Sequence, residues 1–362
     1  MHSPFPYETY AEATRFYGRS DELKRIAEYA KTSSNLVIYS KRRMGKSSLI
    51  KEAFRGEEKR YLCIYCDIFD ITSKEEFAAA LLKALADSVK GDVKNVVNKL
   101  GALFKRVRVE YTVDPRSGKI GIRPVVKALS FEEMLEDFFT TLYHFAEKQK
   151  VVLAIDEFQQ ISTVRDAKIA ATLRKYIQEN REIAYVFLGS KRHMLSRLFE
   201  YGAPLFEEAT PLLLGPIALD DVYRYVSGHL RMERRLIERI YELADGETKL
   251  MQHIFHILYM SRRDETISEA HVESAVNEII NAKSSGYRVI FDSFSQYQKK
   301  AFKALAKYAR GIHSKEVLDE FGISKGSMQS ALKQLHAREL VDKEEEAWFI
   351  PDRAFELWGK SL

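Results

Sequence analysis

Cysteine is nearly absent: the chain has two, Cys63 and Cys66, too few for a disulfide framework. They read C-I-Y-C inside Arg60 to Asp67, a run with strand character in which residues three apart face opposite ways, so a shared zinc or a redox pair does not fit. The nine histidines are scattered, and the closest pair, His253 and His256, has no thiol or carboxylate cluster beside it; helix packing accounts for them. No apolar run approaches the roughly 18 residues of a membrane span. The first twenty residues lack a basic-then-apolar targeting segment, so a cytoplasmic location without membrane partners is expected. Neither sign of charge dominates: 57 basic against 52 acidic residues leave +5, and 46% apolar with 30% charged residues describes a soluble globular protein. At 362 residues the chain can build two or three cores.

What is present is concentrated at Leu36 to Ile50, LVIYSKRRMGKSSLI. Leu36, Val37, Ile38 and Tyr39 have the composition of a strand buried on both faces. Ser40 to Ser47 then reads S-x-x-x-x-G-K-S, the P-loop pattern with Ser40 in place of its first glycine. Such a loop wraps backbone N–H groups around a phosphate and aims a new helix at the anion. Gly45 permits close approach, Lys46 can reach the β- and γ-phosphates, and the Ser47 hydroxyl is placed for Mg²⁺. Met44 and Ser48 complete the candidate phosphate-binding segment. Arg42 and Arg43 add positive charge there, or are equally solvated loop residues.

A second apolar run, VVLAIDE at Val151 to Glu157, carries two acids at its C-terminal end, where open α/β sheets bind ligands. There Asp156 would hold the magnesium and its water shell, and Glu157 would polarise an attacking water. The alternative is a strand that ends in a solvated acidic turn. Strand starts at Leu36, Arg60, Val151, Ala184 and Leu212 with helices between them predict a parallel sheet covered on both faces. Ser20 is a plausible N-cap for the helix before the first strand, and Ser130 with Glu133 forms a capping box. Helices are expected from Ser73 to Leu103, and a single helix from Asp166 to Asn180.

These residues resemble the archaeal-type P-loop ATPases of the AAA+/STAND group, relatives of the Orc-type initiators. The likeness rests on FYGRSDEL (Phe16 to Leu23), Ser40 to Ser47, IDEFQQ (Ile155 to Gln160), FLGS (Phe187 to Ser190) and LGPI (Leu214 to Ile217). It implies an α/β P-loop NTPase core with sheet order 5-1-4-3-2, ATP or ADP with Mg²⁺ as cofactors, and ATPase activity. It places Phe16 to Arg19 against adenine and ribose, with Arg19 as the residue carried over, and sets Ser190 between the γ-phosphate and the lytic water. An arginine supplied by a neighbouring subunit would come from Arg174 or Arg181, which a solvated helix face explains more simply. The sequence departs from the family at Gly246-Glu247-Thr248-Lys249, where a lid phosphate sensor would sit; Lys249 is the available substitute.

The implied organisation is a core over residues 1–217 and an all-helical lid over 218–290, followed by a winged helix over 291–362. Within the core, residues 102–130 carry seven basic residues against Glu110 and Asp114 and alternate like a basic β-hairpin. It is open to nucleic acid, to solvent or to an oligomer contact. Near the end, Ser314 to Phe321, a Gly322 turn and Ser324 to Ala337 have helix-turn-helix spacing. From Lys299 to Arg338 there are nine basic residues against Glu316, Asp319 and Glu320. Lys325, Ser327, Gln329, Ser330 and Lys333 are types that serve phosphates and base edges, whereas Glu344, Glu345 and Glu346 in the wing repel DNA. Two functions are compatible with these residues: an ATP-hydrolysing switch whose winged helix contacts double-stranded DNA, or a non-catalytic nucleotide-binding scaffold whose winged helix engages a protein partner. A small-molecule kinase is disfavoured, since no acceptor-pocket motif or arginine lid stands after the P-loop.

Overall fold

The β-branched run before the P-loop forms β1 (Leu36–Tyr39), and its Leu36, Val37 and Ile38 are fully buried. The computed structural model describes residues 3–89, 93–113, 120–126, 129–164, 168–190, 192–262, 264–308, 311–344 and 347–362. They divide into two compact units, one of Arg19–Lys41 with Gly45–Gly215, the other of Met1–Gly18, Arg42–Met44 and Pro216–Leu362.

In the first unit α1 (Ser20–Lys31) precedes β1 and α2 (Lys46–Glu57) comes after the P-loop. Then come β2 (Tyr61–Asp67), α3 (Lys74–Ser88), α4 (Val93–Leu103), β3 (Arg108–Val113) and β4 (Ile120–Val125). After α5 (Phe131–Ala146), the chain continues through β5 (Lys150–Asp156), α6 (Ile169–Glu179), β6 (Ile183–Gly189), α7 (Arg192–Phe199) and β7 (Thr210–Leu213). The sheet order is β2-β5-β6-β1-β7 and every pairing is parallel. Counted along these five strands from the β7 edge, that is fifth, first, fourth, third, second. All seven residues of β6 are buried, as a central strand covered on both faces requires. Register aligns Tyr39 with Gly189 and Ile155 with Phe187, so Ser40, Asp156 and Ser190 emerge along one edge of the sheet.

The Ser130/Glu133 capping box is formed. Ser20 is not an N-cap: it is the first helical residue, preceded by Arg19 at φ 65° with no side-chain cap. The helices expected from Ser73 to Leu103 are α3 and α4. The hairpin strands β3 and β4 pair antiparallel, but the turn with Asp114, Arg116 and Lys119, and also Lys127, lies outside the described residues. Arg106, just before β3, donates to Glu136 at 2.9 Å, and its backbone N–H donates to the buried Asp137 at 2.6 Å. Cys63 is half-buried and Cys66 buried, on opposite faces of β2.

The second unit holds α8 (Leu219–Ser227), α9 (Arg234–Leu243), α10 (Thr248–Arg262), α11 (Glu269–Asp292) and α12 (Gln296–Lys307). It ends with α13 (Lys315–Glu320), α14 (Lys325–Ala337), the hairpin β8 (Asp342–Glu344) and β9 (Ala347–Phe349), and α15 (Arg353–Lys360). α13, the turn and α14 are the helix-turn-helix, and β8 with β9 the wing; Glu345 and Glu346 lie outside the described residues. The expected boundary near residue 290 falls inside α11, whose 24 residues run through both parts. Tyr287 and Phe291 near its end meet Phe355 at 4.7 Å and Phe302 at 5.8 Å between ring centroids, so lid and winged helix share one apolar core. Among the described residues no helix is long and apolar enough to cross a membrane.

Phe5 is fully buried in that core, with ring centroids 5.5 Å from Phe255 and 5.8 Å from Tyr225. The Tyr225 hydroxyl donates to the Pro4 carbonyl at 2.9 Å, which ties the segment down. Phe5→Ala is therefore expected to destabilise this unit by about 3–5 kcal/mol, read as a lowered midpoint in denaturant unfolding monitored by tryptophan fluorescence.

Candidate functional site

The first unit gathers the sheet's carboxyl-end chemistry. Gly45 enters α2 with φ 88°, a conformation glycine adopts without strain, and nothing lies within 4 Å of a Cβ built there. Lys46 is buried in the first turn and donates to Ser40 Oγ at 3.1 Å. That bond gives a reason for the serine: Ser40 lacks the positive φ that demands glycine, and its hydroxyl, which donates to the Lys41 carbonyl at 2.8 Å, receives the lysine. Ser47 donates to Asp156 Oδ2 at 2.6 Å, and the Tyr65 hydroxyl donates to the same oxygen at 2.6 Å. The other oxygen, Oδ1, accepts the Glu157 N–H at 2.9 Å. Ser48 is half-buried in the same first turn of α2.

Glu157 turns the chain out of β5 with φ 54° into a short 3-10 turn, Phe158–Ser162. Its Oε2 accepts Ser190 Oγ at 3.1 Å and a short hydrogen bond from Gln159 Nε2. Asp67, register partner of Asp156, makes a third acid at this edge. Burial pushes its carboxyl up, and the nearby Asp156 and Glu157 add to this against the Phe69 N–H. Ser47, Asp156, Glu157 and Ser190 are thus brought together, with Lys46 at the start of the helix beside them.

Arg19 is buried, donating to Glu22 at 2.9 Å and to the Gly215 carbonyl at 2.6 Å. The residue expected against adenine is engaged in closing α1 onto the chain beyond β7. Arg174 and Arg181, the candidates for a neighbouring site, both meet the buried Glu208, at 3.5 and 3.1 Å.

The middle of the loop, Arg42–Met44, belongs to the second unit. Arg43, at φ 66°, forks onto Asp352, each nitrogen 2.9 Å from one carboxylate oxygen, the bidentate geometry that makes such pairs strong. It also lies 3.8 Å from Glu247. Tyr287 donates to Asp352 at 3.3 Å, Lys249 N–H to the Arg43 carbonyl at 3.2 Å, and Thr248 Oγ1 to the carbonyl of the buried Met44 at 3.3 Å. Arg42 pairs with Glu339 at 2.8 Å in an exposed bridge. The two arginines expected beside phosphates thus have carboxylate partners. Lys249, the expected sensor substitute, has an exposed side chain and reaches the loop through its backbone.

Burial tends to raise the Asp352 carboxyl, but the Arg43 fork overrides it and the group lies below its ordinary value. Glu247 goes the other way: burial pushes it up to about 7, with Arg43 too distant to compensate. Burial lowers Lys283 in the same cluster. Sequence reasoning missed Tyr65, Gln159, Glu247 and Asp352. Gln159 stood in the IDEFQQ stretch, but only the 3-10 turn brings its amide back to Glu157. Asp352 gave no signal in the sequence, where it stands 309 positions from Arg43.

A family model for an ATPase domain predominantly from Archaea matches residues 16–254, and one for a probable winged helix domain matches residues 285–361. No curated protein matches the sequence. Among solved structures, a Walker-type ATPase of Pyrococcus abyssi is similar with TM-score 0.66 and 15% identity, over 99% of this chain and 100% of that one. The Aeropyrum pernix ORC1 protein, solved in complex with DNA, is similar with TM-score 0.52 and 14% identity, over 96% of this chain and 93% of that one.

Because Glu247 has its native pKa near 7 against an ordinary 4.5, the native state holds more protons than the unfolded chain between those values. Its contribution to stability therefore falls as pH rises through that window. Glu247→Gln is expected to gain on the order of 2 kcal/mol at pH 8 and nothing near pH 4, measured by unfolding at both pH values.

Proposed function

This chain belongs to the family of ATPase domains found predominantly in archaea, and we propose that it is an ATP-hydrolysing switch whose winged helix binds double-stranded DNA. The observation that carries hydrolysis is the meeting of the Ser47 hydroxyl and Asp156 Oδ2 at 2.6 Å, one residue from Glu157 and its Ser190 partner. A hydroxyl and a single carboxylate, both oxygen donors, fit Mg²⁺, which is held by few protein ligands plus phosphate and water. When bound, that ion would neutralise charge on the β- and γ-phosphates. Lys46 reaches the same phosphates, while the N–H groups that open α2 point at the anion. Glu157 orients the attacking water, and Ser190 holds the glutamate beside the γ-phosphate.

The switch reading is supported by the loop's own partition. Its middle residues sit with the winged helix, where Asp352 and Glu339 hold Arg43 and Arg42. Asp352 is also the N-cap of α15, so a change in what Arg43 binds would reach that helix.

Phosphate release by the full chain tests hydrolysis. Glu157→Gln should lower kcat at least about a hundredfold with Mg-ADP affinity retained, and Lys46→Ala should abolish binding in calorimetry. Equal rates in wild type and Glu157→Gln would leave the non-catalytic scaffold.

The DNA reading is supported by α14, where Lys325, Gln329, Ser330 and Lys333 are exposed and Ser327 half-buried, and by the DNA complex of the similar Aeropyrum ORC1 protein. The exposed Glu344 of the wing opposes it. Replacing Lys325 and Lys333 together by alanine should weaken duplex binding and reduce the slope of log K against log salt by about 1.8. Absence of wild-type binding at low salt points instead to a protein partner.

A further inference from the structure

The Gln159 carboxamide is 1% exposed. Its Nε2 donates to Glu157 Oε2, yet its Oε1 has no hydrogen-bond partner among the described residues. Which end faces the glutamate is set by chemistry, since a carboxylate only accepts. A buried amide with an orphaned oxygen costs stability, and an apolar side chain of the same length would avoid that cost. Folding therefore does not explain the glutamine; its bond to Glu157 does. The opposite wall agrees. A Cβ built on Gly189, the residue before Ser190, would fall on Gln159 Oε1, so the amide fits only because β6 ends in glycine. Gln159 thus spans from the end of β5 to the end of β6 and meets the same Glu157 oxygen that accepts Ser190 Oγ at 3.1 Å.

We infer that Gln159 is a positioning residue that holds the Glu157 carboxylate at Ser190, in place to orient the attacking water. The inference rests on Glu157 being the residue that orients that water. It adds a second donor that fixes one carboxylate oxygen, Oε2.

The test uses the full chain carrying Gln159→Met, which keeps the length and removes both polar ends. The expected result is a fall in kcat for phosphate release of at least about tenfold, with KM for ATP and calorimetric Mg-ADP affinity within about twofold and no loss of thermal stability. Gly189→Ala, which pushes the amide from the other side, should show the same split between kcat and KM. In the crystal structure of Gln159→Met the Glu157 carboxylate should have left Ser190. An unchanged or raised kcat overturns the inference, as does a fall matched by loss of ADP affinity or melting temperature. So does a variant crystal structure with Glu157 still on Ser190. If wild type and Glu157→Gln release phosphate at equal rates, hydrolysis at Glu157 is wrong, and the crystal structure alone decides whether Gln159 sets the carboxylate.

Discussion

One carboxylate oxygen, Asp156 Oδ2, accepts hydrogen bonds from the hydroxyls of both Ser47 and Tyr65 at 2.6 Å. It joins the first turn of α2, the interior of β2 and the end of β5. β6 lies between β1 and β5 and aligns their ends, which brings the P-loop and the acids to the same end of the sheet. An unpartnered carboxylate at a sheet edge would be poorly placed for a divalent ion; two hydroxyls orient this one.

Gly45 and Lys46 belong with the sheet, and Arg42–Met44 belong with the helical unit, where Arg43 reaches a cluster of partly dehydrated ionisable groups. Asp352 captures the guanidinium and keeps its charge, while at Glu247 burial outweighs the more distant Arg43 and the Arg353 backbone N–H and pushes the group up to about 7. Pairing outweighs burial at the first and fails to at the second; the distances, 2.9 against 3.8 Å, decide it.

Several local features were legible along the chain because they depend on neighbours in sequence. The Ser130 capping box, the buried β1 and β6 runs and the helix-turn-helix spacing of α13 and α14 all formed. Ser40 looked like a defect in the P-loop pattern; its backbone needs no glycine, and its hydroxyl receives Lys46. Ser20 misled for a related reason. A capping residue is recognised by the acids and apolar residues of the helix it opens, but here the left-handed Arg19, tied to Gly215, starts the helix one residue early. The shared core of α8–α11 and the winged helix was not legible either: α11 runs unbroken from Glu269 to Asp292 and puts Val272 to Ile279, then Tyr287 and Phe291, in one apolar cluster.

By itself the sequence determined the strands, the phosphate-loop chemistry and the two acids, since periodicity and motif spacing act over a few residues. Tertiary structure alone decided which polar groups meet. Ser47 and Asp156 are 109 positions apart, and Arg43 and Asp352 are 309 apart. Gln159 lies two residues from Glu157, yet its bond to it needed a turn and the glycine at the end of another strand. Hydrogen bonds and ion pairs depend on distance and direction in space, and chain order specifies neither until the sheet is assembled.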